Sequence, residues 1–136
     1  MARIWFSLNW FPNPVFMAYP IKRVIQKIDA TGQAPGRIAS QAAHMLIGKH
    51  KVDFIPHVDG GDFVEVINTD KMVVTGRKLE QKIYRHHTGY PGGLREKQMQ
   101  HVLKEDPGEV LVRTVSCMLP KNSHRTARLH RLIIKK

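Results

Sequence analysis

The sequence predicts an α/β domain in which short strands alternate with helices, and three observations carry that expectation. Phe63–Ile67 is a nearly continuous apolar run with β-branched members, the pattern of a strand covered on both faces. Ile38, Ala42, Met45 and Leu46 repeat at helical spacing, and so do Leu111, Val115 and Met118. Turn residues punctuate the chain between these runs, which is the order that builds a layered sheet.

Taken in order, Val24–Ala30 reads as the first strand and Thr31–Gly36 as a Gly/Pro turn. The first helix follows, and Gly48 is placed to end it. After Phe63–Ile67, Asn68–Asp70 makes a turn and Lys71–Thr75 reads as another strand. Met99, Val102 and Leu103 mark one face of a further helix. Asp106-Pro107-Gly108-Glu109 is a strong helix start: an acid at the cap, proline in the first turn, and glutamate three residues on. That helix stops before Pro120. Asn122 or Ser123 is placed to cap a short basic helix, and Leu132–Ile134 reads as the final strand. No internal repeat is visible. The expected organisation is an extension over residues 1–22 and an α/β domain with a basic tail over residues 23–136.

At 136 residues the chain has room for one domain with a real core, and 42% hydrophobic content fits a globular fold. The net charge of +11 exceeds what solubility requires and points to a polyanionic partner. The charge is also uneven. Arg3, Lys22, Arg23 and Lys27 stand without an acid before Asp29, acids outnumber bases from there to Asp70, and no acid follows Glu109. Positive charge therefore sits on both ends and the later segments, as in a basic-tailed RNA binder.

The single cysteine, Cys117, excludes an internal disulfide and any Cys-pair zinc site, and its apolar neighbours predict burial. No apolar run approaches the roughly 20 residues that span a bilayer. Met1–Pro20 is aromatic-rich, free of acids and broken by Pro12, Pro14 and Pro20. It lacks the uninterrupted apolar core of a secretory signal, and its want of acids is shared with organellar transit segments. Its aromatics would be a liability if exposed, so a neighbouring protein or RNA surface is expected to cover it.

Lys82–Leu94, KIYRHHTGYPGGL, holds what a phosphate-backbone binder needs. Lys82 and Arg85 supply charge, while Tyr84, His86, His87 and Tyr90 supply stacking faces. Gly89, Gly92 and Gly93 let backbone N–H groups come close. A loop contacting nucleic acid is the expectation. The Gly32–Gly36 turn matches neither phosphate-loop nor dinucleotide spacing, although Arg37 at the helix start could meet a phosphate. His86 and His87 lack the spacing of a metal pair. Asp59-Gly60-Gly61-Asp62 reads as a turn in which Asp62 bonds its own backbone rather than as a metal site. Lys121–Lys136, with six bases and no acid, reads as a phosphate-contacting tail that includes Arg125, Arg128 and Arg131. No metal, cofactor, membrane or small-molecule substrate is expected.

The order IDATGQAPGRIAS, LIGKHK, FIPHVDGGDFVEVINTDKMVVTGRK, KIYRHHTGYPGG and MLPKN closely resembles the universal large-subunit ribosomal protein L-thirteen family in its bacterial and organellar form. The likeness runs from about Ile28 to Leu132. It implies a non-enzymatic protein with a three-layer α/β/α fold on a four-stranded, mainly parallel sheet. Its partners would be large-subunit rRNA and neighbouring subunit proteins. Carried onto matching positions, the RNA-facing residues would be Arg37, Lys49, His50, Lys51, Thr75, Gly76, Arg77, Lys78, Lys82, Tyr84, Arg85, His86, Gly89, Gly92, Gly93, Lys121 and Asn122. Three departures stand out. Ile25 replaces a usual tryptophan, Ser123-His124-Arg125-Thr126 follows MLPKN in place of a leucine, glycine and arginine, and Met1–Pro20 resembles nothing in the bacterial form. The unusual N-terminus suggests a mitochondrial ribosome, with a plastid or a bacterial cytoplasm as alternatives. Two other classes stay open: a free-standing RNA-binding regulator, and a small α/β enzyme with a nucleotide at Gly32–Gly36.

Overall fold

The first strand, β1 (Ile25–Asp29), is followed by α1 (Pro35–Ile47) and β2 (Phe63–Ile67) in a computed structural model that describes residues 22–135. A short 3-10 turn (Thr69–Lys71) leads to α2 (Lys78–Gln81), β3 (Ile83–His87) and β4 (Leu94–Gln98). Then come α3 (Met99–Glu105), α4 (Pro107–Met118), α5 (His124–His130) and β5 (Leu132–Ile134). The expected extension lies almost wholly outside the described residues.

The sheet has three parallel strands in the order β1-β2-β5, and β3 and β4 form a separate antiparallel hairpin. The α/β class therefore holds, but the expected four-stranded sheet does not. Lys71–Thr75, read as the missing strand, takes another route. Asn68 adopts a left-handed conformation at φ 59°, and the chain turns through Thr69–Lys71. Its backbone then pairs with the loop after β1, Gly32 N–H donating to the Lys71 carbonyl and Val73 N–H to that of Gln33. Those bonds serve the polar groups that a strand neighbour would have served.

Residue alternation decides which face of the sheet is filled. Ile28, Val64 and Val66 point to one side and pack with Ile38, Ala39, Ala42 and Leu46 of α1 and Leu111 and Val115 of α4. Each fully buried valine, leucine or isoleucine among them contributes about 1.5–3 kcal/mol. Leu132 and Ile134 join the same cluster from β5. The helices of this cluster thus form one layer on one face, where a three-layer arrangement was expected.

Local signals read from the sequence set most element ends. Pro35, read from the sequence as part of the preceding turn, opens α1, and Gly48 closes it as expected, its N–H bonded to the His44 and Met45 carbonyls. Asp106 caps α4, Oδ1 accepting from Gly108 N–H at 3.2 Å. Glu109 does not complete a capping box; it accepts from Arg113 one turn on. Ser123 makes no side-chain cap at α5. The buried stripe of α4 runs through Leu111 and Val115 to Leu119, where the chain turns inward, which leaves Met118 and Cys117 exposed. The expected burial of Cys117 is thereby overturned.

Candidate nucleic-acid interface

Residues expected to form a loop from Lys82 are instead the strand and tight turn of the hairpin. Arg85 stands opposite Glu96, His86 opposite Arg95, and Tyr84 opposite Lys97. The turn is closed from within, Thr88 N–H donating to the Gly93 carbonyl and Gly93 N–H to the Tyr90 carbonyl. Gly89 N–H donates to His87 Nδ1 at 2.9 Å. A Cβ at Gly93 would lie 2.0 Å from Thr88 Oγ1, so glycine is required by the turn itself. Two of the glycine N–H groups are accordingly used inside the hairpin rather than offered to a phosphate.

Lys82, Arg85, His86, His87 and Tyr90 are all exposed on this hairpin. Arg85 Nε meets Glu96 Oε1 at 2.6 Å, an exposed pair worth at most about 1 kcal/mol and readily exchanged for another anion. Tyr84 differs. Its ring is half-buried against Met99, Val102 and Val110, a small second core between the hairpin, α3 and α4. Lys82 Nζ lies 5.3 Å and Arg113 Cζ 4.7 Å from the ring centroid. Burial raises the phenol's pKa above its ordinary value, with the nearby Arg113 opposing. The sequence reading made Tyr84 a stacking face; its packing makes it the hairpin's anchor.

Beside the hairpin, an open groove runs to the start of α1. Arg37, Thr75, Lys78 and Lys82 line it together with Gly32 and Pro35. Three bases thus converge, without an acid in the lining, on the positive end of a 13-residue helix. Gly76 and Arg77 are exposed next to it, Gly76 at φ 69°. Four of the expected site residues come together here from segments far apart in sequence.

Other expected contacts are committed elsewhere. Asp62 is buried and accepts from Val24 N–H at 3.1 Å, His50 Nε2 at 2.8 Å and Lys51 Nζ at 2.5 Å. Lys51 also donates to the carbonyls of Lys22 and Gly60. Burial pushes the Asp62 pKa up, but the bonds from Lys51, Val24 and His50 together win and hold it below the usual carboxylate range. Asp62 therefore ties β1 to the segment after α1 rather than bonding its own backbone. The approach is close: a Cβ at Gly61 would sit 1.8 Å from the Leu46 carbonyl oxygen.

Asp59, on the other side of the Gly-Gly pair, takes the tail. Arg131 Nη1 reaches its Oδ2 at 2.6 Å, Arg131 Nη2 its Oδ1 at 2.8 Å, and Arg128 Nε its Oδ1 at 3.2 Å. Arg128 is 1% exposed and Arg131 6%. Arg125 donates to the Ser116 carbonyl and hydroxyl at 2.7 and 2.6 Å. The tail read as phosphate-contacting thus turns Arg128 and Arg131 inward onto Asp59 and Arg125 onto Ser116, and the half-buried Asp59 was the signal missed. Lys49, Lys121 and Asn122 remain exposed. Among the described residues no group of three His, Cys, Asp or Glu side chains is placed to hold a metal, and no helix is long and apolar enough to cross a membrane.

A parallel sheet with one helical layer, carrying a basic groove and an outlying basic hairpin, defines a small α/β domain built to present positive charge. The chain belongs to the ribosomal protein L13 family, whose pattern, described as Ribosomal protein L13, matches residues 23–134. It is 57% identical over 96 residues to large ribosomal subunit protein uL13 of Syntrophus aciditrophicus, covering 71% of this chain and 68% of that protein. The protein of the same name from Clostridioides difficile is 49% identical over 112 residues (82% and 78% covered). That from Rubrobacter xylanophilus is 48% identical over 121 residues (88% and 85% covered).

Proposed function

We propose that this chain is a structural, non-enzymatic constituent of the large ribosomal subunit that binds large-subunit rRNA and supports subunit assembly and translation. Membership of the ribosomal protein L13 family over residues 23–134 is the observation that carries this reading. The free-standing regulator is not favoured, because the relatives are themselves named as subunit proteins.

Exposure and charge support a finer reading of which residues meet RNA. Arg37, Thr75, Gly76, Arg77, Lys78 and Lys82 form one contact region, and Arg85, His86, Gly89, Tyr90 and Gly92 on the hairpin form a second. Lys49, Lys121 and Asn122 add peripheral charge. Tyr84 and Gly93 shape the hairpin, and His50, Lys51, Arg125, Arg128 and Arg131 hold the fold that presents it. Neighbouring subunit proteins are the other partners. A mitochondrial matrix ribosome is the compartment that the unusual first 22 residues support, whereas the bacterial relatives support the alternative, a bacterial cytoplasm.

Binding of the full chain to large-subunit rRNA across a salt series tests the reading. Each neutralised phosphate contributes about 0.7–0.9 to the log–log slope, so affinity should fall steeply with salt. Affinity that is flat in salt would contradict it.

A further inference from the structure

The hairpin has two faces, and strand pairing sorts its side chains between them. Residues directly opposite one another share a face, and so do residues two apart along a strand. Tyr84 turns toward α3 and α4, so Lys97 opposite it lies on that inner face, as do His86 and Arg95, the next pair outward. The outer face carries Ile83, Arg85, Glu96, His87 and Leu94.

Charge is settled differently on the two faces. On the outer face Arg85 stands opposite Glu96 and pairs with it, which leaves that rung neutral. On the inner face Lys97 pairs with Glu105 of α3 at 3.2 Å, which neutralises it as well. His86 and Arg95 differ. Both are exposed, they stand opposite one another, and neither has an acid partner among the described residues. A guanidinium gains nothing from an imidazole across the rung and repels it once the ring takes up a proton. An external anion satisfies both.

Lys82 connects this rung to the groove. Its backbone is extended, at φ −80° and ψ 119°, so the alternation of β3 carries back to it and puts it on the Tyr84 face. Its Nζ lies 5.3 Å from the Tyr84 ring centroid, and the same residue lines the groove with Arg37 and Lys78. At about 3.4 Å per residue, Lys82 and the His86 rung are about 14 Å apart along one face.

We propose that the groove and the inner face of the hairpin are one track for a single continuous segment of rRNA backbone. The track runs from Arg37 and Lys78 over Lys82 to His86 and Arg95. The inference rests on the rRNA reading above and sharpens it: the hairpin arginine that meets this segment is Arg95, not Arg85. Glu96, 2.6 Å from Arg85, cancels most of that side chain's attraction for a phosphate.

Full-length protein and large-subunit rRNA test the track, with Lys78→Ala as the reference for one lost phosphate contact. Arg95→Ala should lower the log–log salt slope by about 0.7–0.9, as Lys78→Ala does, and Arg95→Lys should restore it. Arg85→Ala should leave the slope unchanged. Arg95→Glu, which puts an acid opposite His86, should weaken binding while the urea midpoint holds or rises. In hydroxyl-radical footprints, nucleotides exposed by Arg95→Ala should adjoin those exposed by Lys78→Ala within one uninterrupted stretch of rRNA. An unchanged slope in Arg95→Ala, or an equal loss in Arg85→Ala, would overturn the proposal. So would exposed nucleotides in unconnected stretches, or a lowered midpoint in Arg95→Glu, which would make Arg95 a structural residue. Salt-independent binding by the unmodified chain would instead remove the rRNA reading itself, and the track with it.

Discussion

Arg131 engages Asp59 through both terminal nitrogens, at 2.6 and 2.8 Å, across 72 residues of sequence. With Arg128 on the same carboxylate, this joins the last helix and strand to the loop between α1 and β2. Attraction across a buried ion pair is weak support for net stability, but removing one partner leaves a buried charge without compensation. Asp59→Ala, which strands both buried arginines, should cost about 3–5 kcal/mol, read as a lower urea midpoint, and Arg131→Ala should cost less, because Arg128 stays on the carboxylate. Replacing all three residues by apolar side chains of similar volume should recover most of that loss. Near-normal midpoints in the single variants would return these arginines to the solvent and to RNA.

The two aspartates also set an acid limit. Asp59 is pushed up by burial and pulled further down by hydrogen bonds from Arg131 and Arg128, and Asp62 is held low in the same manner by its partners. A carboxyl with a depressed folded pKa binds protons first in the unfolded chain. Its stabilisation is present above the ordinary value of about 3.9 and is lost as pH falls from there through the lower folded value. Urea midpoints should hold from neutrality to about that point and then drop, and Asp59→Asn should flatten the drop. An acid transition unaffected by both Asp59→Asn and Asp62→Asn would remove the assignment.

The hairpin should separate anchoring from contact. Tyr84→Ala should lower stability by about 1–2 kcal/mol, since a half-buried ring forfeits part of a full burial worth roughly 1.5–3 kcal/mol. Tyr84→Phe should cost nothing, because the hydroxyl is buried without a partner. Tyr90→Ala should leave the melting temperature unchanged and weaken rRNA binding by about 1–3 kcal/mol, the usual loss for one stacked aromatic. The reverse pattern, a thermal loss at Tyr90 and an RNA loss alone at Tyr84, would invert the assignment.

The groove should behave as a point of phosphate contact. Arg37→Ala and Lys78→Ala should each reduce the salt slope of rRNA binding by about 0.7–0.9 with little change in fold. Lys51→Ala, whose ammonium is engaged with Asp62, should act on stability instead. A slope change at Lys51 matching that at Arg37 would dissolve this division.

Much of the fold was legible because its signals are local. Gly48, the Asp106-Pro107 start and the five-residue run at Phe63 each act within a turn or a strand, so the sequence reading agreed with β2, with the C-terminal end of α1 and with both ends of α4. Lys71–Thr75 was misread because its bonds go to Gln33 and Gly32, partners that no local pattern reveals. The candidate interface was legible as composition but not as division of labour. Arg85 and Arg128 look alike in sequence; only the distant Asp59 makes Arg128 a buried strut, while Arg85 stays exposed beside Glu96. Tyr84 likewise read as a stacking face until Met99, Val102 and Val110 closed on it.

The central claim is that this protein resides in the large ribosomal subunit. Sedimentation of a native lysate in a sucrose gradient, followed by quantification of this chain against known subunit proteins, measures that directly. We expect one copy per large subunit, retained at moderate salt and absent from the light fractions. Recovery mainly as free protein or in a complex lacking large-subunit rRNA would contradict the account.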